Sequence, residues 1–206
     1  MIRLLTLFVF FSTLHPAAAA DPLALGQLSA ASATAEQAKD YAAAIRHMEA
    51  FAQRGGEPFY AALRLGWLHY CSGDYPAAQR RYTEATVLQP GSINARLGVL
   101  NTATALKDAR RTAQAAAAVL KTDPNNYQSL MALAGLQFGQ RNYREAAAAY
   151  TRILEKFPDD SDALSGAAWS ALRLGDKARA LTDFALLLGR NPAYPKAQEG
   201  YQQASL

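Results

Sequence analysis

With 206 residues, half of them hydrophobic, the chain has material for a sizeable core and one or two domains. A formal net charge of +4, with no dense Lys/Arg run or stripe, argues against a nucleic-acid-binding protein. The lone cysteine, Cys71, excludes an intramolecular disulfide and a CxxC metal site, so packing alone must hold the fold.

The chain begins with Met1-Ile2-Arg3, continues in an apolar run over residues 4–14 broken only by Thr6, Ser12 and Thr13, and passes through His15-Pro16 into four alanines at 17–20. This charged, apolar, small-residue order is that of a secretory signal peptide over 1–20, with cleavage expected before Asp21. A retained membrane anchor is the alternative, but the run is shorter than the roughly 20 residues a spanning helix needs. The expectation is therefore an exported, periplasmic protein. Without Arg3 the formal charge falls to +3, and the remainder, lacking a second long apolar run, is not expected to span a membrane.

Beyond the leader the sequence repeats itself every 34 residues. Pro90, Pro124, Pro158 and Pro192 form one ladder, and Asp40, Asp74, Asp108, Asn142 and Asp176 form another. A short side-chain oxygen at a fixed position suits helix capping, because it accepts from the free N–H groups of a first turn. Each member of the second ladder is predicted to start a helix, and Pro76 fits the first turn of one of them. Ala44, Ala78, Thr112, Ala146 and Ala180 supply small residues where helices approach closely. Met48, Tyr82, Ala116, Tyr150 and Phe184 lie four residues further along the same face, and all but Ala116 supply bulk. The prolines stop each second helix, and Ser92, Asn126 or Asp160 can cap the next one.

The segment carrying Leu65-Gly66, Gly73-Asp74-Tyr75, Ala78, Tyr82, Ala85 and Pro90 resembles the tetratricopeptide repeat signature. The resemblance divides the chain into units at 25–58, 59–92, 93–126, 127–160 and 161–194, within a single domain over 21–206. It implies an all-α fold, a right-handed α-solenoid of five helix–turn–helix repeats, with residues 195–206 adding a C-terminal capping helix. The first unit departs from the pattern, with Gly55-Gly56 where the terminal proline belongs and a polar, alanine-rich character suited to an outer cap. The third has Thr112, Ala116 and alanines throughout 115–118 in place of bulkier residues, so its second helix is expected to pack thinly. Tyr201 of the capping helix is expected to face inward.

Stacked helix pairs produce a concave face. The resemblance places the second, fifth, ninth and twelfth residues of each first helix there. These are Tyr60, Leu63, Trp67 and Tyr70 in the second unit, and Asn94, Leu97, Asn101 and Thr104 in the third. The fourth supplies Gln128, Met131, Gly135 and Phe138, and the fifth Asp162, Ser165, Trp169 and Leu172. Such a groove is aromatic rather than charged, and both tryptophans occupy the same repeat position. Bulky aromatics are where binding energy concentrates, although the same residues could merely fill space between helices. Leu63 and Leu97 stand where the family's clamp for acidic chaperone C-termini needs basic residues, so that clamp is not expected. Cys71 reads as a small core residue, with an exposed thiol as the alternative.

His47 and His69, the two histidines beyond the leader, lie on different helices, and no GxSxG, phosphate-binding glycine loop or HExxH occurs. No catalysis, cofactor or metal is expected. The resemblance implies a protein–protein interaction scaffold whose groove holds a partner peptide or protein, in cell-envelope assembly or secretion. A carbohydrate-binding accessory of polysaccharide export is the alternative, since aromatic faces also stack on sugar rings, and a purely structural spacer is a third reading.

Overall fold

The computed structural model describes residues 21–206; the leader assigned to 1–20 lies outside the described residues. These contain eleven α-helices and no strand: α1 (Pro22–Gln37), α2 (Tyr41–Gln53), α3 (Pro58–Cys71), α4 (Tyr75–Leu88), α5 (Ile93–Ala105), α6 (Ala109–Leu120), α7 (Tyr127–Gly139), α8 (Tyr143–Lys156), α9 (Ser161–Leu174), α10 (Lys177–Arg190) and α11 (Ala197–Ser205). Each helix packs on its neighbours in sequence, and from α3 onward each odd-numbered helix also packs directly on the next odd one. The even-numbered helices show no comparable packing on one another. Long side chains bridge them instead: Arg111 of α6 donates to Gln79 of α4, and Arg179 of α10 donates to Thr151 of α8 at 3.0 Å. A stack whose odd helices touch and whose even helices are spread apart curves toward the odd side. The fold is a helical repeat solenoid with the odd helices as its inner layer.

The capping ladder works as side-chain chemistry requires. Asp40, Asp74, Asp108 and Asp176 accept from the N–H groups of Ala43, Ala77, Arg111 and Arg179 at 2.9 to 3.1 Å. Asn142 also precedes a helix but does not cap it; its amide donates to Gln137 at 2.8 Å instead. Ser92, Asn126 and Asp160 cap α5, α7 and α9. One residue before each member of the ladder the backbone turns left-handed, at Lys39, Gly73, Lys107, Arg141 and Gly175. This single residue reverses the chain between paired helices. In the loops leading to the next unit, the carbonyls of Pro90, Pro124 and Pro158 accept from Arg96, Arg152 and Arg190 at 2.6 to 2.8 Å.

The core is organised around rings seated on glycine. Tyr82, Tyr150 and Phe184 are buried on even helices, and each presses on the odd helix that follows, sixteen residues further along the chain. A β-carbon built on Gly98, Gly166 or Gly200 would lie 2.2 to 2.3 Å from the facing ring, so only glycine admits these contacts. Tyr82 is also pressed from the other side, where a β-carbon on Gly66 would come within 2.8 Å. The third unit inverts the arrangement. Ala116 replaces the ring, Ala132 replaces the glycine opposite, and Leu100 provides the bulk, clustered with Ala115 and Ala116. In the neighbouring cluster at the α3–α5 junction the buried residues are Ala62, Ala85 and Ala95, with Phe59 and Leu63 packed against them. The middle of the solenoid is therefore lined largely by alanine, between richer clusters around Met48, Phe51 and Leu65 at one end and Phe184 and Leu187 at the other.

Both ends are closed by short-range devices. Ser32 of α1 donates from its buried hydroxyl to the Ala44 carbonyl at 2.9 Å. On the inner face Glu36 of α1 accepts from the Arg64 guanidinium and from the Trp67 indole N–H, the latter at 2.6 Å, both on α3. Burial by itself would raise the Glu36 carboxyl, but the hydrogen bonds from Arg64 and Trp67 and the Arg64 charge outweigh it and hold it below the ordinary carboxylate value. At the other end α11 buries Ala197, Gly200 and Ala204, and Tyr201 packs on the same cluster as Phe184.

Two measurements follow from this packing. Gly98→Ala drives a methyl group into Tyr82, and overpacking of this kind costs about 1–3 kcal/mol. Gly135→Ala, in a helix interior with open space where its β-carbon would sit, gains about 0.5–1 kcal/mol. Denaturant midpoints of the two variants should move in opposite directions, and unchanged midpoints would remove the ring contact from the account. For the Glu36 tether, a folded-state value below the unfolded one means that its stabilisation is complete above the unfolded carboxyl pKa of about 4.3 and fades as pH falls through the folded value. Hydrogen-exchange protection factors in α1 should thus decline on acidification before those of α9. Glu36→Gln should show the loosened α1 at neutral pH; a variant with wild-type protection would contradict the tether.

Candidate functional site

Along α3, residues spaced three and four apart fall on one helical face, and the packing of α3 on α5 turns that face inward. Successive odd helices repeat this placement, and their side chains line three adjoining concavities. The first, about 330 Å³, lies over α3 and α5 and takes in Leu63, Trp67, Asn94, Asn101 and Gln128. The second, about 380 Å³, adds Tyr70 and Met131 and shares Asn101 and Gln128 with the first. The third, about 480 Å³, shares Met131 with the second and continues past Phe138 and Trp169 to α11. Shared walls make them one trough along the inner layer. Of the sixteen residues expected in the groove, thirteen line these concavities; Gly135 lies outside them and Leu172 packs on the Phe184 cluster. Tyr60 does not line them either: its hydroxyl hydrogen-bonds Ser29 of α1 at 3.0 Å and its ring meets Phe51 of α2 edge-on, so it fastens the first helix pair to α3.

The two indoles are held differently. Trp67 spends its only polar atom on Glu36, and its ring stacks on Tyr70 with centroids 6.3 Å apart, yet it remains 42% exposed. What it offers the trough is a fixed aromatic face. Trp169 is half-buried, edge-on against Phe184 at 5.2 Å, with the Arg173 guanidinium 5.6 Å from its ring. Between them lies a polar stretch, where Gln128 donates to Asn101 at 2.8 Å and Asn94 stands alongside.

The expectation of an uncharged lining needs correction. Arg64 borders the first concavity, and Asp162, Arg173, Lys196 and Glu199 border the third. Arg173 lies one turn beyond Trp169 on the same face, a spacing that the sequence already displays. Lys196 and Glu199 come from α11, whose place in the trough depends on the stacking of the cap. The ladder rings also reach the floor: Tyr82 lines the first concavity and Tyr150 the third, each emerging over its glycine. Burial raises the pKa of both phenols.

Cys71 ends α3 half-buried, and burial pushes its thiol up, with the Glu36 charge adding to the shift, so it sits there as a neutral thiol and not as a fully enclosed core residue. His69 is lowered chiefly by burial, with the Asp74 carboxylate 3.7 Å away acting in the opposite sense. Among the described residues no group of three or more His, Cys, Asp or Glu side chains is placed to hold a metal ion, and no helix is long and apolar enough to cross a membrane.

Residues 136–195 match the family model described as tetratricopeptide repeat. No curated protein sequence matches the chain. Solved structures do. A tetratricopeptide repeat protein from Parabacteroides merdae superposes with a TM-score of 0.79 at 19% identity, over 88% of this chain and 72% of that one. MamA from Desulfovibrio magneticus gives 0.76 at 15% identity, over 86% and 99% of the two chains. YrrB, described as a tetratricopeptide protein with an unusual peptide-binding site, gives 0.72 at 11% identity, over 83% and 88%. At these identities the structural likeness speaks for the fold. The tetratricopeptide repeat sequence itself is matched over residues 136–195, and the fold is that of tetratricopeptide repeat proteins.

Proposed function

We propose that the protein is an exported interaction scaffold that holds a partner peptide or protein in its inner trough, in cell-envelope assembly or secretion, and carries out no catalysis. The observation that carries this reading is the continuous trough from Leu63 to Trp169, with an indole near each end and amide side chains between them. Large rigid rings supply contact area at little conformational cost, and hot spots concentrate on such residues. The peptide-binding site for which YrrB is described supports the reading by likeness of fold. The leader order over residues 1–20 supports export. Asp21 accepts from the Leu23 N–H at 3.0 Å, so cleavage before Asp21 would leave α1 with its cap.

A glycan is the second occupant the trough would suit. The exposed face of Trp67 beside Asn94, Asn101 and Gln128 combines a stacking surface with amide donors and acceptors. Fluorescence titration of the two tryptophans with peptides and with oligosaccharides separates the readings, and saturable change with oligosaccharides alone would overturn the peptide reading.

The double variant Trp67→Ala/Tyr70→Ala should lose partner capture in an envelope-fraction crosslinking assay by about thirtyfold, the loss expected of a hot-spot pair, while its helical circular dichroism stays at the wild-type level. Capture at wild-type strength would rule out the first half of the trough as the binding surface. N-terminal sequencing of the protein recovered from the periplasm should begin at Asp21; recovery only from the cytoplasm would remove the export claim.

A further inference from the structure

The last stretch of the trough has a direction. Its floor is apolar and aromatic, formed by Phe138 of α7, Trp169 of α9 and the Tyr150 ring emerging beside Gly166. Four charged residues border it, and they are not equivalent. Asp162 and Lys196 occupy corresponding positions at the starts of α9 and α11, so their opposite charges lie at one end. Asp162 also accepts from the Tyr194 hydroxyl at 2.5 Å, and burial together with that bond pushes the Tyr194 phenol up to about 12. Glu199 follows one turn into α11 and accepts from Gln203 at 3.0 Å. Arg173 is eleven residues beyond Asp162 on the same helix, about 16 Å along the axis. Among the described residues it makes no ion pair and no hydrogen bond; its one close partner is the Trp169 ring. The far end of this stretch therefore presents one uncompensated cation, seated over an aromatic floor that is open to the trough.

We propose that this stretch is an anchoring subsite for an extended peptide in which a large apolar side chain is followed two residues later by an acidic one. The apolar side chain lies against Phe138, Gly166 and Trp169, and the carboxylate pairs with Arg173. The spacing is set by geometry. Arg173 stands one helical turn, about 6 Å, from Trp169. In an extended peptide, residues two apart point the same way and lie about 6.6 Å apart. An adjacent acid would point away from Arg173, and one four residues on would overshoot it. The inference rests on the peptide reading of the trough and adds to it an orientation and a charge rule.

The test isolates this stretch. In Trp67→Phe the only indole left is Trp169, so tryptophan emission reports this subsite alone. End-blocked peptides Gly-Phe-Ser-Xaa-Gly, with Xaa as Asp, Asn or Lys, are titrated into that protein. Asp should bind about threefold to fivefold more tightly than Asn, as expected of a partly exposed ion pair, and Lys more weakly than either. Arg173→Gln should bring Asp and Asn together, and Arg173→Glu should reverse the order of Asp and Lys. Equal binding of all three peptides, or an order that Arg173→Glu leaves unchanged, overturns the charge rule while the trough reading stands. If no peptide alters Trp169 emission, the subsite itself is refuted; the Trp67 and Tyr70 half of the trough is judged separately by the capture assay on the double alanine variant.

Discussion

Everything else in this solenoid depends on one contact, the aromatic ring of an even helix seated on a glycine of the next odd helix. At three junctions the ring supplies stabilising apolar area, and glycine lets the helices come close enough for the ring to be enclosed. The contact joins consecutive units along the inner layer, so it draws the odd helices together and leaves the even ones spread. Curvature, the inner trough and part of its floor all follow. Tyr82 and Tyr150 belong to the core by burial and to the groove by the tips of their rings.

The capping ladder and the left-handed residue before it fix the geometry of each pair, while ring and glycine fix the geometry between pairs. The first device is local and nearly invariant along the chain, with Asn142 the one member whose side chain turns elsewhere. The second varies, and its variation has structural meaning. Where Ala116 replaces the ring, Leu100 and Ala132 change with it, so the space is refilled from the other side rather than left empty. The exchange preserves the stack but leaves a junction with little aromatic area, beside a cluster whose fully buried residues are all alanine.

Much of this was legible in the sequence because the repeat makes it visible several times over. The helix starts came from ladders of like residues at fixed spacing, and the all-α solenoid from the tetratricopeptide resemblance that the repeat carries. The partner of each ring was equally periodic, at sixteen residues, but glycine at 98, 166 and 200 reads as a helix-weakening residue until the facing ring is seen. Trp67 could be placed on the inner face by spacing; that its indole N–H is committed to Glu36 could not, because the two residues lie 31 apart on different helices. Tyr60 has the same spacing as the trough residues, yet it is claimed by Ser29 of α1 and Phe51 of α2, contacts that no repeat ladder displays. Two charges of the third concavity were missed because they belong to the capping helix. Lys196 and Glu199 lie outside the five units, and only the docking of α11 brings them to the trough.

The alanine-lined middle has a consequence for communication between the ends. In a stack with nearest-neighbour coupling, the influence of one end on the other passes through every junction between them, and the weakest junction limits it. Trp67 lies on one side of that junction and Trp169 on the other. The two indole-bearing arms are therefore closer to two independent valences on one string than to halves of a cooperative site. A ligand long enough to reach both would gain by effective concentration, with the second arm engaging intramolecularly once the first is occupied.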